Sequence, residues 1–261
     1  MGIARTVSTT RRIVGIPVME VAPAGRDPRG PVLWIPPLGG DKERYTDQLN
    51  GLAQRGFLAV GIDPRRHGER ADLPPDRLFE LVMNRFRATM WPILGGTVLD
   101  AMAVIDEELS AHRIDGPVLA GGVSMGGDIA IALAGIDPRV TRVAAIASTP
   151  DWTRPGMTLI GRPGQVIDQG EATSGGRWLR DHLDPLAHPD RFRRELAIRL
   201  DVGAADTHVP AEAAHRFAAL LADGPPAPQI AVVDHPGLDH PDLCRDPQVL
   251  GGALSWLTGP S

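Results

Sequence analysis

Gly121-Gly122-Val123-Ser124-Met125-Gly126-Gly127 sets one serine among glycines where an apolar, strand-like run gives way to a helix-like one. So sharp a strand-to-helix turn needs small residues two before and two after the serine, because the backbone folds back on itself there. Gly122 and Gly126 meet that need and make Ser124 the candidate nucleophile. The pattern predicts a strand over 117–121 and a helix over 128–134.

Outward from this point the chain alternates between two kinds of segment. Residues 13–21 alternate and carry β-branched side chains, which predicts an early strand, at an edge because of Pro17. Val32-Leu33-Trp34-Ile35 and residues 57–62 are short apolar runs of the kind a strand buried on both faces requires. Between them, 45–55 has helical spacing through Leu49, Leu52 and Ala53 and closes at Gly56. Residues 75–112 predict two helices broken at Pro92 and Gly95-Gly96. Strands follow at 140–147, 198–202 and 229–233, with helices at 210–221 and 247–257. From 148 to 194 periodicity is lost over a stretch too long for an ordinary connection, which predicts a cap or lid. Strands alternating with helices imply an α/β fold: a mostly parallel central sheet, helices on both faces, ligands at the carboxyl ends of the strands.

Composition narrows the function classes. The 261 residues, 43% of them hydrophobic, suffice for one domain with a substantial core. Net charge is -5, and the 27 basic and 32 acidic residues are mixed along the chain. No basic stripe suits a nucleic-acid backbone, so nucleic acid is not an expected partner. Cys244 is the only cysteine, which excludes an internal disulfide and fits a reducing, cytoplasmic compartment. No run of about 18 apolar residues or leader pattern is seen, so no membrane association is expected. Met1-Gly2 with Thr6 matches a loose acylation pattern, but no second membrane signal accompanies it.

A serine hydroxyl becomes a useful nucleophile only when a base takes its proton, and the base needs a carboxylate to orient it. Asp206 follows a predicted strand in Gly203-Ala-Ala-Asp-Thr-His-Val-Pro210, where such an acid belongs; Asp234 and Asp239 are its rivals. The last strand runs into His235-Pro-Gly-Leu-Asp-His240, long enough to bring His240 back over the sheet edge; His235 and His208 are the alternative bases. An oxyanion hole needs two backbone N–H donors. Met125, after the nucleophile, supplies one. Pro36 and Pro37 have no N–H, so Leu38 is the first residue of its loop able to supply the other. Trp152 and Trp178, in the unpatterned stretch, are candidates for a substrate pocket. His67 and Arg70 read as loop-tying residues. No His-Glu-x-x-His or similar ligand set occurs, so neither metal nor cofactor is expected.

Taken in succession, Gly-Gly-Val-Ser124-Met-Gly-Gly, Asp63-x-x-x-His-Gly-x-Arg70, Asp206-x-x-Val-Pro and Pro-Gly-x-x-His240 resemble the bacterial α/β-hydrolase superfamily, specifically its small esterase and serine-aminopeptidase-like branch. The resemblance spans roughly residues 30–257. It implies the α/β-hydrolase fold with a small cap insertion, a Ser124/Asp206/His240 triad, and cleavage of a carboxylic ester of a small molecule. Thioester, amide or acyl-transfer chemistry on the same triad is the alternative, and a non-catalytic binding protein a third. Pro36-Pro37 depart from the His-Gly found in many relatives.

Overall fold

The structure is a computed structural model, and it describes residues 5–259. Met1 and Gly2 of the acylation pattern lie outside the described residues. In chain order the elements are β1 (Thr6–Ile13), β2 (Ile16–Pro23), β3 (Pro31–Ile35), α1 (Thr46–Gln54), β4 (Leu58–Ile62), α2 (Pro75–Asn84), α3 (Phe86–Ala111), β5 (Val118–Val123), α4 (Met125–Ile136) and β6 (Val140–Ile146). They continue with β7 (Thr158–Leu159), β8 (Arg162–Val166), α5 (Ser174–Leu183), β9 (Ala197–Gly203), α6 (Glu212–Ala222), β10 (Gln229–His235), α7 (His240–Arg245) and α8 (Pro247–Thr258).

The main sheet runs in the order β1-β2-β4-β3-β5-β6-β9-β10. β1 and β2 pair antiparallel with their neighbours, and the remaining pairs are parallel. β3, β4 and β5 are buried along their whole length, which is why they read as continuous apolar runs rather than alternating ones. One core cluster fills the face covered by α2, α3, α4 and α6. A second lies on the face covered by α1 and α8. Because β3, β5, β6, β9 and β10 are parallel, their carboxyl ends share one edge, and the loops that follow them meet there.

Two expectations are corrected. Pro17 does not mark an edge: β2 lies between β1 and β4, and the Pro17 carbonyl, at the start of the strand, accepts from the Asp63 N–H at 3.0 Å. The edge on that side of the sheet is β1, whose mostly exposed Thr, Ser and Arg residues carry no apolar alternation. The break expected at Pro92 falls instead at Arg85, and α3 runs on through Pro92, Gly95 and Gly96. Those glycines serve packing. A Cβ on Gly95 would stand 2.7 Å from Leu179 of α5, and one on Gly96 would stand 2.5 Å from the Arg65 side chain. α3 is also long and apolar enough to cross a membrane by length and composition, but its apolar stretch is mostly buried against the sheet and neighbouring helices.

The stretch without periodicity is ordered. It holds the β7/β8 hairpin, α5 and two short helical turns at 185–187 and 189–192. It is fastened to the core where the Trp91 indole donates to the Trp152 carbonyl at 2.9 Å, and it is tied within itself where Asp184 accepts from the Trp152 N–H.

Candidate active site

Ser124 lies between β5 and α4 with φ 53° and ψ -121°, a left-handed conformation that costs a non-glycine residue about 1–3 kcal/mol and persists only where its surroundings enforce it. Here they do. The Ser124 N–H donates to the Ile146 carbonyl at 2.7 Å, and its own carbonyl accepts from the Gly127 and Asp128 N–H groups. The Ser148 hydroxyl lies 2.9 Å from the same carbonyl. The glycines around it are required by contact rather than by dihedral angle. A Cβ on Gly122 would stand 2.5 Å from the Ile35 carbonyl oxygen, and one on Gly126 would stand 2.0 Å from it.

The strand edge delivers the other groups. Asp206 follows β9, and its Oδ1 accepts from the N–H groups of His208 and Val209 at 2.9 and 2.8 Å, which fixes the carboxylate plane. Its Oδ2 lies 2.7 Å from His240 Nδ1, and His240 Nε2 lies 3.0 Å from Ser124 Oγ. The three residues predicted from the chain thus form one continuous hydrogen-bonded line. All are buried, at 8% exposure for Ser124, 5% for Asp206 and 7% for His240. His240 opens α7, a short helix absent from the sequence expectation, whose N-cap is Asp239. Burial pulls the His240 pKa down, but the Asp206 hydrogen bond and the neighbouring Cys244 outweigh it and raise it to about 9.

Each rival is otherwise engaged. His235 Nε2 lies 2.8 Å from buried Asp201, which also pairs with Arg199. His208 packs edge-on against the His240 ring at 4.9 Å and bonds the Thr158 carbonyl. Burial, with the charges of His240 and Arg154, pushes its pKa down to about 3, so it stays neutral beside the site. Asp234 pairs with His215, and Asp239 caps α7. His67 and Arg70 belong to a clasp outside the site. Asp63 accepts from the N–H groups of Lys42 and Glu69, Arg70 reaches the Asp63 carbonyl and Asp100, and the His67 ring meets the Arg65 carbonyl.

A cavity of about 260 Å³ opens at Ser124 and His240, with Leu38, Met83, Met90 and Ile160 among its apolar walls. Leu38 stands in the loop after β3, and its N–H has no partner among the described residues. Met125 is the first residue of α4, where an N–H has no intrahelical acceptor. Neither tryptophan singled out in the sequence lines this cavity. Trp152 is fully buried in the core, and Trp178 is exposed on α5, stacked on His182 at 4.3 Å. The residues from the unpatterned stretch that do line it are Ile160 and Arg154, the latter paired with Asp128 on α4 beneath the serine. Nothing in the sequence around Arg154 distinguishes it from the other arginines of that stretch.

No protein-family model matches the sequence, and no curated protein matches it. Solved structures do. A Thermus thermophilus protein superposes with a TM-score of 0.74 at 23% identity, over 97% of both chains. A proposed dienelactone hydrolase from Klebsiella pneumoniae gives 0.69 at 15% identity, over 97% of this chain and 98% of its own. A Mycobacterium tuberculosis puromycin-hydrolyzing peptidase gives 0.68 at 19%, and 98% of this chain spans only 40% of that one. At such identities the likeness is one of architecture, and together with the sheet order and the serine turn it establishes that this chain has the α/β-hydrolase fold.

Proposed function

We propose that the chain is a serine hydrolase that cleaves a carboxylic ester of a small or medium-sized molecule through an acyl-enzyme on Ser124. The observation that carries this reading is the line Asp206–His240–Ser124, with contacts of 2.7 and 3.0 Å, opening on a cavity. In this scheme His240 Nε2 takes the Ser124 proton as Oγ attacks the ester carbonyl, and Asp206 stabilises the imidazolium that forms. The Leu38 and Met125 N–H groups hold the developing oxyanion. His240 returns the proton to the departing alcohol, then activates a water that releases the acid. The groups needed are all in the chain, and the scheme calls for no metal or cofactor. A cavity of about 260 Å³ favours a small or medium-sized ester over a peptide.

Replacing the base tests the assignment. His240→Ala should lower kcat on 4-nitrophenyl butyrate by about 10³-fold or more, while His235→Ala, which loses only the Asp201 contact, should keep near-normal turnover. The reverse pattern would place the base on β10.

The pH dependence follows from the raised His240 pKa. Below that pKa the imidazole is protonated and cannot accept the serine proton. The kcat/KM profile of the free enzyme should therefore rise through a limb near pH 9, alkaline of the ordinary 6.5. Asp206→Asn should move the limb to lower pH while lowering its plateau. A wild-type limb at or below 6.5 would contradict the role given to the Asp206 contact.

A further inference from the structure

The cavity wall carries information about the substrate that the three aligned residues do not, and its use here rests on the ester-hydrolase reading. The whole chain is acidic, with 32 Asp and Glu against 27 Lys and Arg. The cavity reverses that balance. Arg44, Arg154 and Arg245 line it, and among the described residues no carboxylate does. They arrive from separate elements: the loop before α1, the segment after β6, and the end of α7.

Arg154 is 3% exposed. It is held with φ 42°, and its carbonyl accepts from the Gln169 side chain. Its guanidinium pairs with Asp128 and stands 5.2 Å from the Phe86 ring centroid. One further N–H group points at the Met157 sulfur at 3.9 Å, a weak contact, and Nε is buried with no partner. A guanidinium offers five N–H donors, so much of its capacity is unused. Arg44, beside the Tyr45 phenol, and Arg245 are exposed and have no carboxylate within 4 Å among the described residues. Asp128 therefore offsets one of three cations, Asp206 is engaged by His240, and His208 is neutral.

We propose that the site takes esters carrying a second, ionised group, a carboxylate, recognised by Arg154 in the wall and by Arg44 and Arg245 at the mouth. The forked geometry of guanidinium matches a carboxylate in two hydrogen bonds. The two exposed arginines draw anions toward the cleft, while Leu38, Met83, Met90 and Ile160 shelter the apolar body of the ligand.

The experiment compares kcat/KM for charged and uncharged esters of matched size, each corrected for its alkaline hydrolysis rate. Mono-4-nitrophenyl glutarate against 4-nitrophenyl valerate puts the charge on the acyl group. 4-Carboxyphenyl butyrate against phenyl butyrate puts it on the leaving group. We expect the charged ester to be preferred by about tenfold or more in at least one pair. We expect the Arg44→Gln/Arg245→Gln double variant, altered only at exposed positions, to lose most of that preference, as should 1 M salt acting on wild type. No preference in either pair, or a preference that survives the double variant, overturns the proposal. If neither pair is turned over although Ser124 still takes a fluorophosphonate, the anionic-ester proposal falls and the nucleophile reading stands. If labelling is absent too, both fall.

Discussion

Ser124→Ala is expected to lower kcat on 4-nitrophenyl esters by about 10⁴-fold or more, leaving only what the oxyanion donors and binding provide. The neighbouring Ser148 cannot stand in. The Ser148 hydroxyl lies behind the serine turn at the Ser124 and Ile146 carbonyls, at 2.9 and 2.7 Å, and does not face His240. Removing Oγ should not unfold the protein, because the bonds that hold the turn are made by the Ser124 N–H and carbonyl. Alanine does keep the left-handed strain of the native φ. The expected signature is thus near-wild-type thermal unfolding with lost turnover. A variant that is well folded and retains a tenth of the wild-type rate would place the chemistry elsewhere.

The largest expected effect on stability comes from Gly126→Val. A Cβ there would stand 2.0 Å from the Ile35 carbonyl oxygen, 2.5 Å from its carbon and 2.8 Å from the Pro36 oxygen, all backbone atoms. Neither side can yield cheaply. β3 is hydrogen-bonded to β4 and β5 on its two sides, and α4 is buried over its first ten residues. Forcing the helix off the strand would open the core beneath Ile129 and Leu133 and displace the Leu38 loop from the serine. A loss of about 4 kcal/mol or more is expected, a large share of the about 5–15 kcal/mol that holds such a domain together. Chemical denaturation, or the soluble yield if the variant does not fold, reads it out. Gly251→Ala, at a helical position where an added Cβ would meet nothing within 4 Å, is the control and should be neutral or slightly stabilising.

The parts legible in the sequence are those in which one physical requirement dominates a short stretch. Strands buried on both faces show themselves as Val32-Leu33-Trp34-Ile35 and Val118-Leu119-Ala120, and the serine turn shows itself because only glycine fits against Ile35 and Ser148. Ser124, Asp206 and His240 could be picked out because each follows a strand and the strands are parallel. Where the outcome is decided by distant partners, the local signal misleads. Gly95 and Gly96 look like a helix break but make room for Leu179 and Arg65. β1 has no apolar face to announce it, since it is held by pairing with β2. Trp152 and Trp178 sit in the expected stretch, yet one fills the core and the other faces outward, and only the tertiary structure selects Arg154 and Ile160 for the cavity instead.

The central claim, a nucleophilic Ser124 activated by His240, is tested most directly by intact-protein and peptide mass spectrometry after exposure to a fluorophosphonate. The account predicts one adduct per chain, on the peptide containing Ser124, with adduct formation lost in Ser124→Ala and strongly slowed in His240→Ala. Folded wild-type protein that takes no adduct, or takes it on another residue, would contradict it.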